Sequence, residues 1–233
     1  MSAPARPEVV SQSAWLAARK ALLEKEKAHT RAQDALNAER RRLPMVKIEK
    51  DYVFEGPSGR LRLVELFEGR RQLYVHHFMW IDARNTGCPR CTEAADIGFT
   101  PANLVHFHRR DVTFAAIARA PWPTLAAFKK AKRWTFPFYS SFGTTFNHDF
   151  GVTIEEGSAE YNYRRDAMPN GDLPGNSVFL RDGDDVYHTY SAYARGLDRL
   201  FMPYNFLDLT VYGRQEDWED SPDGWPQTPT YGE

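Results

Sequence analysis

Two near-continuous apolar runs, Gln72 to Trp80 and Asp111 to Ala120, constrain this chain more than any other feature. A strand that is hydrophobic along its whole length must be covered on both faces, as a central strand of an α/β sheet is. The segments around the runs suit that environment. Pro89 to Ile97, Pro101 to about His108 and Pro123 to Lys132 have helical patterns, and Trp134 to Ser141 reads as a short strand. Ser177 to Arg181 and Val186 to Ser191 flank the turn Asp182-Gly183-Asp184-Asp185 as a hairpin. The order β, α, β, α and then a hairpin predicts an α/β sandwich around a mixed central sheet.

Upstream, Met45 to Phe54 alternates as a strand does, Gly56-Pro57-Ser58-Gly59 is a turn, and Arg60 to Leu66 is the return strand. Before Pro44 the pattern is helical. Ser11 is a candidate N-cap, and Trp15, Leu16, Leu22, Leu23 and Leu36 form a broken stripe among Ala, Glu, Lys and Arg. One helix over 11–42 and two helices broken near His29-Thr30 are both consistent with this. The domain organisation predicted is therefore a helical arm over 1–44, a globular domain over 45–213, and an acidic Pro/Gly-rich tail over 214–233 that is loosely held beyond Asp220. The arm either covers the core of its own chain or packs against a second protomer in a homodimer.

The 233 residues carry a net charge of −1, which offers no electrostatic footprint for nucleic acid or a membrane surface. The charge is uneven: residues 19–42 hold eight Lys/Arg against four Asp/Glu, and residues 214–233 hold one against six. No segment reaches the ~18 apolar residues of a membrane span. Met1 to Pro7 lacks the apolar run of a secretory signal. Two cysteines cannot build a disulfide framework, so a reducing, cytoplasmic location is expected.

Those two cysteines lie in Gly87-Cys88-Pro89-Arg90-Cys91. CxxC spacing serves a dithiol that cycles to a disulfide, or half of a soft-metal site. Here the motif follows a buried strand and opens a helix, with Pro89 suited to the first helical position. Unpaired amides at that terminus favour a thiolate at Cys88, and Cys91, one turn on, would resolve a mixed disulfide.

The order strand, Gly87-Cys-Pro-Arg-Cys91, helix, strand Val112 to Arg119, helix Ala126 to Lys132 and Trp134 to Ser141 resembles the thioredoxin fold, and its peroxiredoxin branch most. The chain is similar to the bacterial family known as domain of unknown function 899 (DUF899), described as thioredoxin-like. The stretches that match are Trp15 to Leu23, Glu49 to Phe54, His77-Phe-Met79, Gly87 to Cys91, Arg110 to Phe114, Phe146 to Val152, Tyr161 to Arg164, Leu173 to Asp182 and His188 to Asp198. The resemblance implies a thioredoxin-like sandwich and dithiol–disulfide oxidoreductase chemistry on Cys88 and Cys91, with a thiol or disulfide as substrate and no required cofactor. Two departures stand out. A peroxiredoxin carries Pro and Thr/Ser seven and three residues before its reactive cysteine, where this chain has Ile81 and Asn85, so peroxide reduction is not expected. The cis-proline of the fold, due just before Val178-Phe179-Leu180, is replaced by Ser177 or Asn176 unless Pro174 takes its place.

His76 and His77 are adjacent on the strand that feeds the motif, so only one can face the cysteines. His77, within a matching stretch, is the expected one, as proton partner of Cys88. The alternative is a metal site: Cys88, Cys91, His77 and His108 could bind zinc, copper or iron. His106 and His108 share a His-x-His pattern but diverge at a helix end. Tyr161, Tyr163, Arg164 and Tyr190 lie in matching stretches and are expected to line a pocket for a carboxylate or thiol substrate; ordinary packing at the core edge is the competing reading.

Overall fold

Ser11 does cap a helix. Its hydroxyl accepts from the Ala14 amide at 3.2 Å, and α1 (Gln12–Arg40) follows. The helix passes His29 and Thr30 without a break, with Thr30 Oγ1 donating back to the Glu26 carbonyl at 3.0 Å. Ala, Leu, Glu, Lys and Arg dominate it, all strong helix formers. None of its residues is buried.

The computed structural model describes residues 5–155, 160–164 and 170–228. Pro44–Phe201 is one compact unit, and Met1–Leu43 with Met202–Glu233 is the other. Within the first unit the strands are β1 (Val46–Lys47), β2 (Val53–Gly56), β3 (Gly59–Arg62), β4 (Gln72–His77), β5 (Trp80–Ile81) and β6 (Thr86–Gly87). They continue with β7 (Val112–Ala118), β8 (Phe138–Ser140), β9 (Thr153–Ile154), β10 (Gly171–Asp172), β11 (Gly175–Asp182) and β12 (Asp185–Tyr193). Eight of these form one mixed sheet in the order β1-β12-β11-β4-β7-β8-β2-β3. The two apolar runs supply β4 and β7, which pair in parallel at its centre, and the predicted hairpin supplies β11 and β12. The thioredoxin-like sandwich is the architecture formed.

One strand expectation fails. Met45 to Phe54 is two short strands at separate places in the sheet: β1 lies against β12, and β2 against β3 and β8. Lys50 and Asp51 interrupt the pairing, and Lys50 Nζ turns to Asp149 at 2.6 Å instead of extending a ladder. The return strand β3 is shorter than expected as well, giving way at Leu63 to a single-turn helix over Leu63–Phe67 that buries Leu66 and Phe67.

The sheet separates two cores. On one side α2 (Pro89–Gly98), α3 (Pro101–His108) and α4 (Trp122–Lys132) cover Phe78, Phe114, Ala116, Ala118 and Phe138, with Leu104, Leu125 and Cys91 pointing in. On the other, Leu73, Val75 and Ile117 meet Phe54, Phe67, Phe179 and Phe146 of the short α5 (Phe146–Asp149). Each fully buried Phe or Leu contributes roughly 1.5–3 kcal/mol, so neither core is dispensable. A smaller cluster, Val152, Ile154, Tyr161 and Tyr193, closes around the β9–β10 pair.

In the second unit the chain continues through α6 (Met202–Leu207) into the acidic segment. Its described part is tied down: Glu216 and Thr228 form a parallel bridge, and the Tyr212 hydroxyl donates to the Ala5 carbonyl at 3.1 Å. Residues 1–4 of the arm and 229–233 of the tail lie outside the described residues.

Candidate functional site: the Cys88–Cys91 helix terminus

Cys88 occupies the N-cap of α2 and Pro89 the first helical position. The Cys88 carbonyl accepts the first helical bond from Thr92 at 2.9 Å, and the Cys88 amide donates to the Met79 carbonyl at 3.0 Å. These bonds place the sulfur at the end of the strand run that begins in β4. The intervening loop is a small hairpin in which Trp80 pairs with Gly87 and Ile81 with Thr86. Gly87 is obligatory there: a Cβ would lie 2.7 Å from the Phe78 ring and 2.9 Å from that of Phe128. At the far end of α2, Trp134 Nε1 donates to Asp96 Oδ1 at 2.6 Å and anchors the helix to the core.

The two thiols are free and differ in environment, Cys88 half-buried and Cys91 buried. A hydrogen bond from the Cys91 thiol to the Cys88 sulfur is the main reason the Cys88 pKa is pulled down, to about 6. Backbone amides of Cys91 and Arg90 and the Arg90 charge act in the same direction, against a partial burial that opposes them. The same hydrogen bond and its own burial hold Cys91 protonated, well above the ordinary thiol value. One sulfur is thus a poised nucleophile and the other a retained acid.

The loop carrying Cys88 is tethered from outside. Arg119, just past β7, donates from Nη2 to Asp82 Oδ2 at 3.1 Å and from Nε to Asp172 Oδ1 at 2.9 Å. Asp172 is almost fully buried and also accepts from Thr153 Oγ1 at 2.7 Å. Burial is the leading influence on its carboxyl and raises its pKa in spite of Arg119. Sequence reading did not single out Asp82, Arg119 or Asp172; a carboxylate and a guanidinium 53 positions apart leave no local pattern.

His77 is the main correction. It was expected to face the cysteines, but His76 takes the helix side, against Phe99 and Phe78 at ring separations of 5.3 and 6.1 Å. His77 enters the opposite core, where it lies against Phe146 and Phe150 at 5.5 and 5.8 Å. Strand parity is the reason: Tyr74, His76 and Phe78 share one face, and Leu73, Val75 and His77 the other. Burial keeps both imidazoles neutral, lowering the pKa to about 4 at His76 and about 3 at His77. His76 donates from Nδ1 to Asn176 Oδ1 at 2.8 Å, and His77 Nε2 lies 2.7 Å from Ser177 Oγ.

The metal set is not assembled either. Among the described residues no three His, Cys, Asp or Glu side chains converge as a metal site, and His108 ends α3 on the surface. The tyrosine set is split. Tyr161 donates to the Pro174 carbonyl at 2.7 Å and accepts from the Ala194 amide at 3.0 Å, a packing role. Tyr163 alone of the four lines a cavity of about 600 Å³, on the His77 side of the sheet; Tyr161, Arg164 and Tyr190 do not. Ser177 and Asn176, the candidates for the cis-proline position, are buried within β11, and no described peptide bond is cis.

A family model for a bacterial protein of unknown function, DUF899, matches residues 4–231. The chain belongs to this family. No curated protein matches the sequence. Among solved structures, this DUF899 protein is similar to the peroxidoxin BcpB of Mycobacterium tuberculosis, at 16% identity and a TM-score of 0.47, covering 69% of this chain and 94% of that one. It is also similar to peroxiredoxin Q of Xanthomonas campestris, at 12% identity and a TM-score of 0.45, covering 69% and 95%. The strand order and the helix opened by the cysteine pair make this DUF899 chain a thioredoxin-like mixed α/β sandwich. No helix among the described residues is long and apolar enough to cross a membrane.

Proposed function

We propose that the protein is a dithiol–disulfide oxidoreductase in which Cys88 attacks and Cys91 resolves. The observation that carries the reading is the asymmetry of the pair at the start of α2, a half-exposed sulfur with a pKa near 6 beside a buried one kept protonated. The Cys88 thiolate attacks one sulfur of a substrate disulfide and expels the other as a thiolate. Cys91 then gives up its proton and attacks the Cys88 sulfur, releasing the second substrate thiol and leaving a Cys88–Cys91 disulfide. Two electrons pass from the dithiol to the substrate, and two equivalents of an external thiol, themselves oxidised to a disulfide, restore the reduced pair.

A nucleophile at pKa 6 is largely ionised at neutral pH while retaining reactivity, since nucleophilicity falls only gradually with pKa. The reading suits a reducing compartment such as the cytoplasm, where a CxxC pair cycles instead of remaining oxidised.

Alkylation by iodoacetamide at graded pH is the test. The Cys88 rate should reach half its plateau near pH 6. A profile that follows an ordinary thiol, with its midpoint at about 8.5, would remove the reading. In Cys91→Ser a mixed disulfide with glutathione should accumulate on Cys88; its absence would count equally against the assignment.

A further inference from the structure

The face of the sheet turned away from the cysteines carries a buried polar chain that disulfide exchange does not use. His77 Nε2, Ser177 Oγ, Ser191 Oγ and His188 Nε2 follow one another at 2.7 Å per link. A β-bulge brings the last member into line. Tyr190 pairs with Val178 but His188 pairs with Phe179, leaving Thr189 as the extra residue. Three positions apart on a regular strand, His188 and Ser191 would face opposite ways; the bulge puts them on the same side, as bulges beside functional sites do. His77 Nδ1 is buried without a partner, which assigns the His77 proton to Nε2. Each hydroxyl then donates onward, Ser177 to Ser191 and Ser191 to His188 Nε2. His188 is thereby fixed as a neutral ring, and burial lowers its pKa in the same sense.

That ring forms part of the wall of the 600 Å³ cavity, a volume within the range of small-molecule sites. Phe150 and His188 meet at 5.2 Å and 87°, and Tyr163 and Tyr193 at 5.6 Å and 75°, so the walls include two right-angled aromatic pairs. The charged lining holds three carboxylates, Glu49, Asp149 and Glu160, against two ammonium groups, Lys47 and Lys50. Both ammonium groups already face carboxylates, Lys47 at 2.9 Å from Asp185 and Lys50 at 2.6 Å from Asp149.

Tyr163 adds an independent sign. Tyr161 and Arg164 exchange two backbone hydrogen bonds of 3.0 Å around a two-residue loop, with Asn162 at φ 54° and Tyr163 at φ 60°. Such loops favour glycine at the second position, and a bulky residue there is strained. The loop holds a ring that is 69 % exposed at the cavity wall, with its hydroxyl donating to the Ser191 carbonyl at 3.4 Å and its ring against Tyr193.

We propose that this cavity binds a small organic cation bearing a substituted ammonium group, seated against the rings of Phe150, Tyr163, Tyr193 and His188 with its charge toward Glu49 and Glu160. Aromatic faces attract such cations, the carboxylate excess reinforces them, and a neutral His188 does not repel them. The site is separate from the Cys88–Cys91 pair and does not depend on how that pair is used.

The test is calorimetric titration of the full chain with choline, with its neutral isostere 3,3-dimethylbutan-1-ol and with isobutyrate. Choline should bind one per chain, the neutral alcohol about tenfold more weakly, and isobutyrate not at all. Tyr163→Gly relaxes the loop, so it should weaken choline about fivefold while leaving the thermal midpoint equal or higher and the Cys88 alkylation profile unchanged. Tyr163→Phe keeps the ring and should bind as the parent does. Equal affinity for choline and the alcohol, preference for isobutyrate, no choline binding up to about 50 mM, or undiminished binding in Tyr163→Gly would each overturn the proposal.

Discussion

The two faces of the central sheet are built on different principles, and neighbouring histidines of β4 mark the contrast. On the His76 side, three helices cover the sheet and the reactive groups lie at its rim, where a strand end meets the start of α2. On the His77 side, the described cover is short helical turns and loops, and polar groups run through the interior as a chain of serines and histidines. One face keeps its core apolar apart from the His76–Asn176 pair and places its two cysteines at a helix terminus. The other accepts buried polar groups and satisfies most of their hydrogen bonds internally, which is tolerable only while the network stays nearly complete.

The largest effect should come from Cys88→Ser. Disulfide exchange should drop to background, whereas Ser177→Ala on the other face should leave it within about twofold, because among the described residues no hydrogen bond connects that face to the thiols. Equal losses in both variants would break the division of the sheet into one chemical face and one separate from it.

Acid should weaken both faces together. The unfolded chain has ordinary imidazoles that take up protons near pH 6.5, whereas folded His76 and His77 resist until about 4 and about 3. Stability contributed by this resistance is complete above about 6.5 and is lost as pH falls through those folded values, on the order of 3 kcal/mol for His76 alone. Urea titrations between pH 7.5 and 4.5 should show the decline; a flat profile would mean that both rings are solvated.

Arg119→Met tests the tether behind the cysteine loop. It leaves the buried Asp172 carboxylate without its cation and should cost about 2–3 kcal/mol, with much of the loss recovered in an Arg119→Met, Asp172→Asn double variant. Additive losses in the double variant would argue that the pair is not coupled. The smallest change is in Ser177→Ala itself, about 1–2 kcal/mol for a buried His77 N–H left without an acceptor. Chemical denaturation should register it while the Cys88 alkylation midpoint stays where it was.

Local signals were legible wherever a few adjacent residues settle the outcome. Ser11 and Ala14 define the start of α1, Pro89 and Cys88 that of α2, and Asp182 to Asp185 the turn between β11 and β12. The failures concern phase and distance. Met45 to Phe54 alternates as a strand should, yet its halves pair with different partners, a choice made by β12 on one side and by β3 and β8 on the other. Arg119 joins Asp82 and Asp172 across gaps of 37 and 53 positions, and no spacing rule reaches that far.

The amino-acid order alone determined that the chain alternates strand and helix, that a helix opens at Cys88, and that one cysteine precedes the other by a single turn; these follow from propensity, capping and periodicity within a few residues. Tertiary structure decided which of His76 and His77 meets the cysteine face and how His188 comes to share a side with Ser191. A strand buried on both faces has no polar side to declare its orientation. Its phase is set by register against β11, 100 residues away, and by one extra residue in β12.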